Sequence, residues 1–468
     1  MRPIEIILIL SILARLWFSN KYRNILGFLP ILVAAAQVLF EGYRWQMIPL
    51  YILAAASGLV AAVAALRRRA PPAGRRRLAQ AIGGTLLVLL AAALPYIFPI
   101  PRPYPPTGPY PIGTRTLHLV DASRTDPHAP DPASPREFLV QLWYPAELTP
   151  DARPAPWMPD AEIIAPEIAK ALELPGFFLD HLIYARTDSY LDLPVATDGS
   201  PFPAILFSHG YTGFRAQNTF QVQELASRGY IVAAVEHTYA AAMTVFPDGR
   251  VAPHNPETLP PDGDPDYEAD AEELLKQWTG DLQFTLASLD ALNADPGSWL
   301  LGSLDLSRVG TLGHSTGGGA AIQFCSAEPR CRAGFAMDPW LLPVENGVLE
   351  AGLNQPFLAM FSEAWSTAAN VGSYVTLADG YPGELTVMTV LGSDHFDFTD
   401  LPLTSPLSPY LGVKGPIAGD RMLSLVNAFT VDFFDAMLRG ASFELPYEAS
   451  DLYPEIRFAP PEGLRPDV

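Results

Sequence analysis

Cysteine is nearly absent, with two in 468 residues, which excludes both a disulfide-rich scaffold and a cysteine-built zinc module. Basic residues are also scarce. The chain carries 30 Lys+Arg against 50 Asp+Glu, for a formal net charge of −20, and so acidic a protein is a poor partner for nucleic acid. Charged residues of both signs reach only 17%, while hydrophobic residues make up 49% and aromatics 11%, a balance that excludes disorder over the whole length. Proline is plentiful instead: 48 residues is about twice the usual ~5% share and implies many fixed turns.

The charge is unevenly spread. Residues 1–100 hold eleven basic and two acidic side chains, a balance of +9 that leaves −29 for the rest. Residues 46–66 and 78–100 are uncharged and long enough to cross the ~30 Å hydrocarbon layer. Residues 24–40 are shorter but also uncharged, and are expected to span. Residues 4–18 are interrupted by Glu5 and Arg15; they are read as spanning, with an interfacial helix as the alternative. Six arginines within 67–77 (RRRAPPAGRRR) hold that loop in the cytoplasm under the positive-inside rule. Lys21 and Arg23, two spans earlier, agree, so residue 101 onward is expected on the exoplasmic side.

A proline-rich linker, PRPYPPTGPYPI at 101–112, then opens a region of alternating elements. Short apolar runs at 115–121, 137–144, 203–208, 229–236, 308–313, 333–338, 356–362 and 386–391 read as strands. Helical stretches are expected near 216–228, 266–293, 316–326 and 420–439. Strands such as 204–207 (AILF) are apolar on both faces, as in a mostly parallel sheet covered by helices on two sides. Residues 155–195 break the pattern and read as a helical insertion over the sheet. Its set Trp157, Phe177, Phe178, Leu179 and Leu182 is expected to be core beneath the insertion, with an acyl-binding lid as the alternative.

Gly313-His314-Ser315-Thr316-Gly317 fits G-x-S-x-G between an apolar strand and a helix. There a nucleophilic serine must sit on a sharp turn, and glycines at Gly313 and Gly317 allow the neighbouring backbone to approach. In this architecture the order is serine, acid, histidine, and of eight histidines only His395 follows Ser315. Two carboxylates at strand ends, Asp338 and Glu363, both qualify as the acid. A strand running into His209-Gly210 can aim a backbone N–H at a developing oxyanion, and the N–H of Thr316 is the expected second donor. His209 itself is read as pinning this loop.

The segments QLWYPAE (141–147), FSHGYTGFR (207–215), VAAVEH (232–237), GHSTGG (313–318), AMDPWLLP (336–343) and GSDHFDF (392–398) together resemble the plasma-type platelet-activating factor acetylhydrolases, the lipoprotein-associated phospholipase A2 family. The resemblance runs from about residue 112 to 440. It implies an α/β-hydrolase fold, Ser315 as nucleophile, Asp338 of the D-x-W motif as acid, His395 as base, and the N–H groups of Tyr211 and Thr316 as the oxyanion hole. Dienelactone-type and polyester-cleaving hydrolases are the nearest confusable relatives.

The expected organisation is three to four transmembrane helices in 1–100, the linker at 101–112, and an α/β-hydrolase domain at 113–468. The expected activity is that of a multi-pass cell-membrane serine ester hydrolase, without metal or other cofactor, acting on lipid or small esters. It would remove short or truncated acyl groups from phospholipid-like substrates. A carboxylesterase and a membrane-anchored acyltransferase are the alternatives. Cys325 and Cys331 flank a short loop after the nucleophile helix and can bridge in an oxidising compartment. Asp262, Asp264, Asp266 and Glu273 echo a calcium loop, but Tyr267 stands where the turn needs glycine, so they are read as an acidic helix start.

Overall fold

The structure, a computed structural model, describes residues 1–18, 26–67, 74–171, 173–365, 368–410, 412–446 and 452–464. The chain divides into two compact units. One gathers Met1–Pro101, Ala165–Ala185 and Thr404–Leu407; the other gathers Arg102–Ile164, Arg186–Leu403 and Ser408–Val468.

The first unit is helical: Pro3–Trp17, Leu29–Glu41, Ile48–Leu66 and Gly74–Ile97. Among the described residues, two stretches, Trp45–Leu66 and Gly74–Ile97, are long and apolar enough to cross a membrane. Pro3–Trp17 and Leu29–Glu41 have 15 and 13 residues, which at 1.5 Å per residue gives only about 20 Å each. The charge that interrupts the first run is neutralised inside the unit. Arg44 grips the buried Glu5 carboxylate with two hydrogen bonds of 2.8 and 2.7 Å and donates a third to the Phe98 carbonyl. Of the residues that set the expected orientation, Lys21, Arg23, Arg68 and Arg69 lie outside the described residues.

The middle of the expected insertion belongs to this helical unit. Trp45 gathers Phe98, Phe177 and Phe178 at ring separations of 5.8, 5.7 and 5.0 Å, and its indole N–H donates to the Phe178 carbonyl. The Gln46 amide donates to His181 Nδ1 at 2.9 Å. Phe177 and Phe178 therefore belong to an aromatic cluster of the helical unit. The flanks of the insertion form strands, β3 (Pro154–Pro156) and β4 (Arg186–Leu191), which pair with each other. Proline and charge at these positions hid them from periodicity.

The second unit is built on one eleven-stranded sheet in the order β13-β12-β11-β10-β9-β5-β6-β2-β1-β4-β3. Its strands include β1 (Ile112–Thr125), β2 (Pro135–Pro145), β5 (Phe202–Ser208), β6 (Ile231–Glu236), β9 (Leu304–His314), β10 (Cys331–Met337), β11 (Phe357–Ser362), β12 (Leu385–Val390) and β13 (Ile456–Arg457), while β7 (Met243–Val245) and β8 (Val251–Pro253) pair separately as a short antiparallel ribbon. From β12 through β6 every pairing is parallel, whereas β2 joins β6 and β1 antiparallel. Alternate residues of one strand enter opposite cores. In β5, Leu206 packs with Trp278, Leu282 and Phe324 on one face, and Ile205 and Phe207 pack with Phe220 and Phe434 on the other. A strand buried on both faces needs apolar residues at every position, which is why β5 reads as a continuous run.

A buried carboxylate secures the face nearest the loop at 209–218. Asp400 accepts hydrogen bonds from Thr219 N and Phe220 N at the start of helix Thr219–Ser227, and from the Trp157 indole. Two helix N-terminal donors are thereby satisfied by one side chain. Burial pushes the Asp400 carboxyl up to about 6 against the pull of these donors. The unfolded chain releases the same proton near ~4, so between those values the folded state binds more protons. Its contribution to stability is therefore greatest below about pH 4 and is lost as the pH rises to about 6. The expected result is that the stability of the wild type relative to Asp400→Asn falls across this window and is flat above it. Thermal unfolding of both proteins from pH 4 to 8 checks this, and a pH-independent difference would refute it.

Candidate active site

The residues singled out for chemistry collect at the carboxyl ends of the parallel strands, where open α/β sheets present their crevice. Ser315 follows β9, Asp338 follows β10, Glu363 follows β11 and His395 follows β12. Each strand thus delivers one polar residue to the same edge.

Ser315 turns the chain from β9 into helix Thr316–Ala327 with φ 56° and ψ −121°, a conformation that L-residues adopt at a cost of about 1–3 kcal/mol. The turn is held from both sides: Ser315 N donates to the Met337 carbonyl, and its own carbonyl accepts from Gly318 N and Trp340 N. The flanking glycines are required by close approach. A Cβ on Gly317 would meet the carbonyl oxygens of Ser208 and His209, and one on Gly313 would meet the Gly317 carbonyl. Cys325 and Cys331 are joined in a disulfide with Cα atoms 5.2 Å apart, tying the end of this helix to the start of β10.

Asp338 is fully buried and also has positive φ, 41°. Its carboxylate accepts from His395 Nδ1 at 3.0 Å, from Ser362 N at 2.7 Å and from Ser362 Oγ at 2.7 Å. Burial raises its pKa, while His395 and Ser362 oppose that rise. Glu363 is exposed and accepts from Gly392 N at 2.7 Å. Of the two candidate acids, the structure brings Asp338 to the imidazole and turns Glu363 to the loop backbone.

His395 is partly exposed. Bonding of Nδ1–H to the carboxylate leaves Nε2 as the acceptor. The Trp365 indole stacks on this ring, with centroids 4.1 Å apart and planes 11° apart, and donates to the Pro339 carbonyl. The indole thus covers one face of the imidazole. His314, the residue before the serine, holds the histidine loop from below. Its Nε2–H donates to the His395 carbonyl at 3.0 Å, and its Nδ1 accepts from the Gln217 amide at 3.1 Å. A proton on both nitrogens would face the Gln217 N–H, so His314 is neutral; burial and the neighbouring His395 push its pKa well down.

The loop after β5 carries Tyr211, one of the two residues whose N–H groups are expected to form an oxyanion hole. Gly210 N donates to Gln217 Oε1 at 3.3 Å and Thr212 N to the Ala240 carbonyl at 3.0 Å. Between them, Tyr211 N has no turn or side-chain acceptor among the described residues. Thr316 N belongs to the first turn of its helix, where backbone donors lack intrahelical partners. His209 Nδ1–H donates to the Gly210 carbonyl at 2.7 Å, so it pins the loop. Trp365, Gln217 and Ser362 were not legible in advance, because each acts through a neighbour and carries no motif of its own. Among the described residues no cluster of three or more His, Cys, Asp or Glu is disposed to hold a metal ion.

The family model described as platelet-activating factor acetylhydrolase, isoform II, matches residues 104–261 and 292–444. Platelet-activating factor acetylhydrolase of Gallus gallus is 25% identical over 360 residues, spanning 71% of this chain and 82% of the relative. Its counterpart in Cavia porcellus is 30% identical over 321 residues, spanning 64% and 72%. Among solved structures, a ferulic acid esterase from Streptomyces cinnamoneus superimposes with a TM-score of 0.63 at 29% identity, over 77% of this chain and 99% of that one. With an α/β-hydrolase sheet, a strained serine at a strand–helix turn and an Asp–His pair beside it, the chain belongs to the platelet-activating factor acetylhydrolase isoform II family of carboxylic ester hydrolases.

Proposed function

We propose that Ser315 is the nucleophile, His395 the base and Asp338 the acid. The N–H groups of Tyr211 and Thr316 form the oxyanion hole, and the substrates are phospholipid-like esters with short or truncated acyl groups. The observation that carries this reading is the 3.0 Å contact between His395 Nδ1 and the buried Asp338 carboxylate, on the strand edge that also bears the strained Ser315. His395 Nε2 takes the Ser315 proton as Oγ bonds to the ester carbonyl carbon, and the carbonyl oxygen, now an anion, accepts the two N–H groups. The imidazolium, held by Asp338 and faced by Trp365, returns the proton to the departing alcohol. Water then attacks the acyl-enzyme, with the same histidine as base, and releases the acid. Names of related proteins support the lipid substrate: the similar animal enzymes are called platelet-activating factor acetylhydrolases.

In the same proposal the chain is a multi-pass protein of the cell membrane, with three to four spans and the hydrolase unit exoplasmic. Two helices of sufficient length and apolarity, the arginines at 67–77 and a disulfide, which persists in oxidising compartments, support it. A small-ester or polyester esterase is the second reading, favoured by a 24% identity over 198 residues to cutinase est1 of Thermobifida alba.

Three results are expected. Ser315→Ala abolishes labelling by a fluorophosphonate probe and His395→Ala suppresses it strongly, while Asp338→Asn lowers turnover by a factor on the order of 10⁴ through the wrong histidine tautomer; full labelling of Ser315→Ala, or greater damage from Glu363→Gln than from Asp338→Asn, refutes the assignment. A membrane-impermeant thiol reagent applied to intact cells reaches a cysteine introduced at Thr107 but not one at Ala73, and the reverse pattern places the hydrolase unit in the cytoplasm. The reconstituted full chain cleaves short acyl groups from phospholipid in vesicles faster than the same acyl group on a water-soluble alcohol, and indifference to presentation favours the small-ester reading.

A further inference from the structure

Beneath the loop assigned to the oxyanion hole lies another serine, histidine and aspartate, these three joined in line by hydrogen bonds. Ser208, the last residue of β5, places its Oγ 2.9 Å from His237 Nε2, and His237 Nδ1 lies 3.0 Å from Asp281 Oδ2. Asp281 stands on helix Tyr267–Ala294. Its carboxylate also takes two hydrogen bonds from Arg136, at 3.1 and 2.7 Å, and one from Arg124 at 2.8 Å. Ser208, His237, Asp281 and Arg136 are all fully buried. No ester reaches them, so the constellation of a hydrolase triad is present here without access to substrate.

The chemistry of each atom fixes the direction of every bond. Asp281 is charged: burial alone would raise its pKa, but Arg136 and His237 hold it well below the ordinary range. It therefore accepts, and His237 carries its proton on Nδ1. Nε2 then accepts from the Ser208 hydroxyl. Burial keeps His237 neutral, with its pKa down at about 4, and its ring lies flat on Trp278 at 3.9 Å. Its backbone N–H donates to His209 Nε2 at 3.3 Å, and His209 Nδ1–H donates to the Gly210 carbonyl. One chain of donors thus runs from the arginines of β1 and β2 through helix Tyr267–Ala294 to the residue before Tyr211. Ser208 also stands in register with Gly313 on β9, and its carbonyl abuts Gly317. The end of this chain therefore lies against the nucleophile turn.

We propose that Ser208, His237 and Asp281 are positioning residues that hold the Tyr211 N–H at the distance from Ser315 that a tetrahedral oxyanion requires. The proposal rests on the oxyanion assignment above. It assigns the relay no proton transfer. Its effect is confined to the transition state, because a ground-state carbonyl makes weaker demands on donor placement than an oxyanion does.

The test uses the full-length chain in detergent, with active sites titrated by a fluorophosphonate so that only folded enzyme is counted. Three readouts are taken: kcat and KM for a p-nitrophenyl acetate substrate, and the Ki of a trifluoromethyl ketone whose hemiketal oxygen occupies the hole. Ser208→Ala and His237→Phe are expected to lower kcat per titrated site by about ten- to a hundredfold, to weaken the ketone by the same factor, and to leave KM within about threefold. His237→Gln keeps an N–H for Asp281 and a carbonyl for Ser208, and is expected to recover most of both losses. Wild-type kcat and ketone affinity per titrated site in Ser208→Ala and His237→Phe overturn the proposal, as does a His237→Gln protein no better than His237→Phe. Undiminished turnover in Ser315→Ala would instead overturn the active-site reading itself, so the two failures are distinguishable.

Discussion

The buried carboxylate of Asp338 is the constraint around which the active edge is arranged. A carboxylate removed from water costs several kcal/mol unless its lone pairs are filled. Three donors fill them here: Ser362 N, Ser362 Oγ and His395 Nδ1. Two come from the end of β11 and one from the loop after β12, so satisfying this one group fixes the relative placement of three strand ends. The main chain takes part as well, because Asp338 N donates to the Met360 carbonyl while φ is held at 41°. Removal of any donor would leave a charge uncompensated in the interior. The same bonds that stabilise the fold therefore hold His395 in the tautomer that the proposed chemistry needs.

Much of this was legible in the sequence. The doubly buried strands of the sheet stand out because each position between two helical layers must be apolar, so β5 and β6 appear as nearly unbroken runs. The elbow stands out because only glycine tolerates the carbonyls that crowd positions 313 and 317. His395 follows from chain order alone. The choice between Asp338 and Glu363 did not follow from local pattern, since both end apolar strands. What separates them is burial and the position of Ser362, a relation between adjacent strands that no single run of residues encodes. The family resemblance supplied it.

Elsewhere the local pattern pointed away from the structure. Glu5 and Arg15 make the first apolar run look broken, yet Glu5 is paired with Arg44 some forty residues later, an offset that hydropathy along the chain does not register. Phe177 and Phe178 look like cover for the sheet and belong to the Trp45 cluster. Aromatic side chains announce burial without naming a partner, and only tertiary packing decides between them. Trp365 is the functional example of the same gap: its stacking on His395 is visible only once β11 and β12 lie side by side.

The two serine–histidine–aspartate sets in this one unit show what a motif of residue types leaves undetermined. Both have an imidazole held by a buried aspartate. Ser315 sits at a positive-φ turn, half-buried at the strand edge, beside a partly exposed His395. Ser208 lies in regular strand backbone, and its histidine is sealed between Trp278 and the sheet. Exposure and backbone strain thus separate the proposed nucleophile from the buried hydroxyl, although each histidine lies 3.0 Å from its aspartate. The charges follow the same division. Asp281 is balanced by two arginines, and burial keeps the adjoining His237 neutral against the pull of that carboxylate, whereas the hydrogen-bond partners of Asp338 among the described residues include no arginine, so in the proposed reaction His395 is the group that gains a positive charge against it. An aspartate already neutralised by arginine has little left with which to stabilise an imidazolium, and for that reason the second set suits rigidity and the first suits proton transfer.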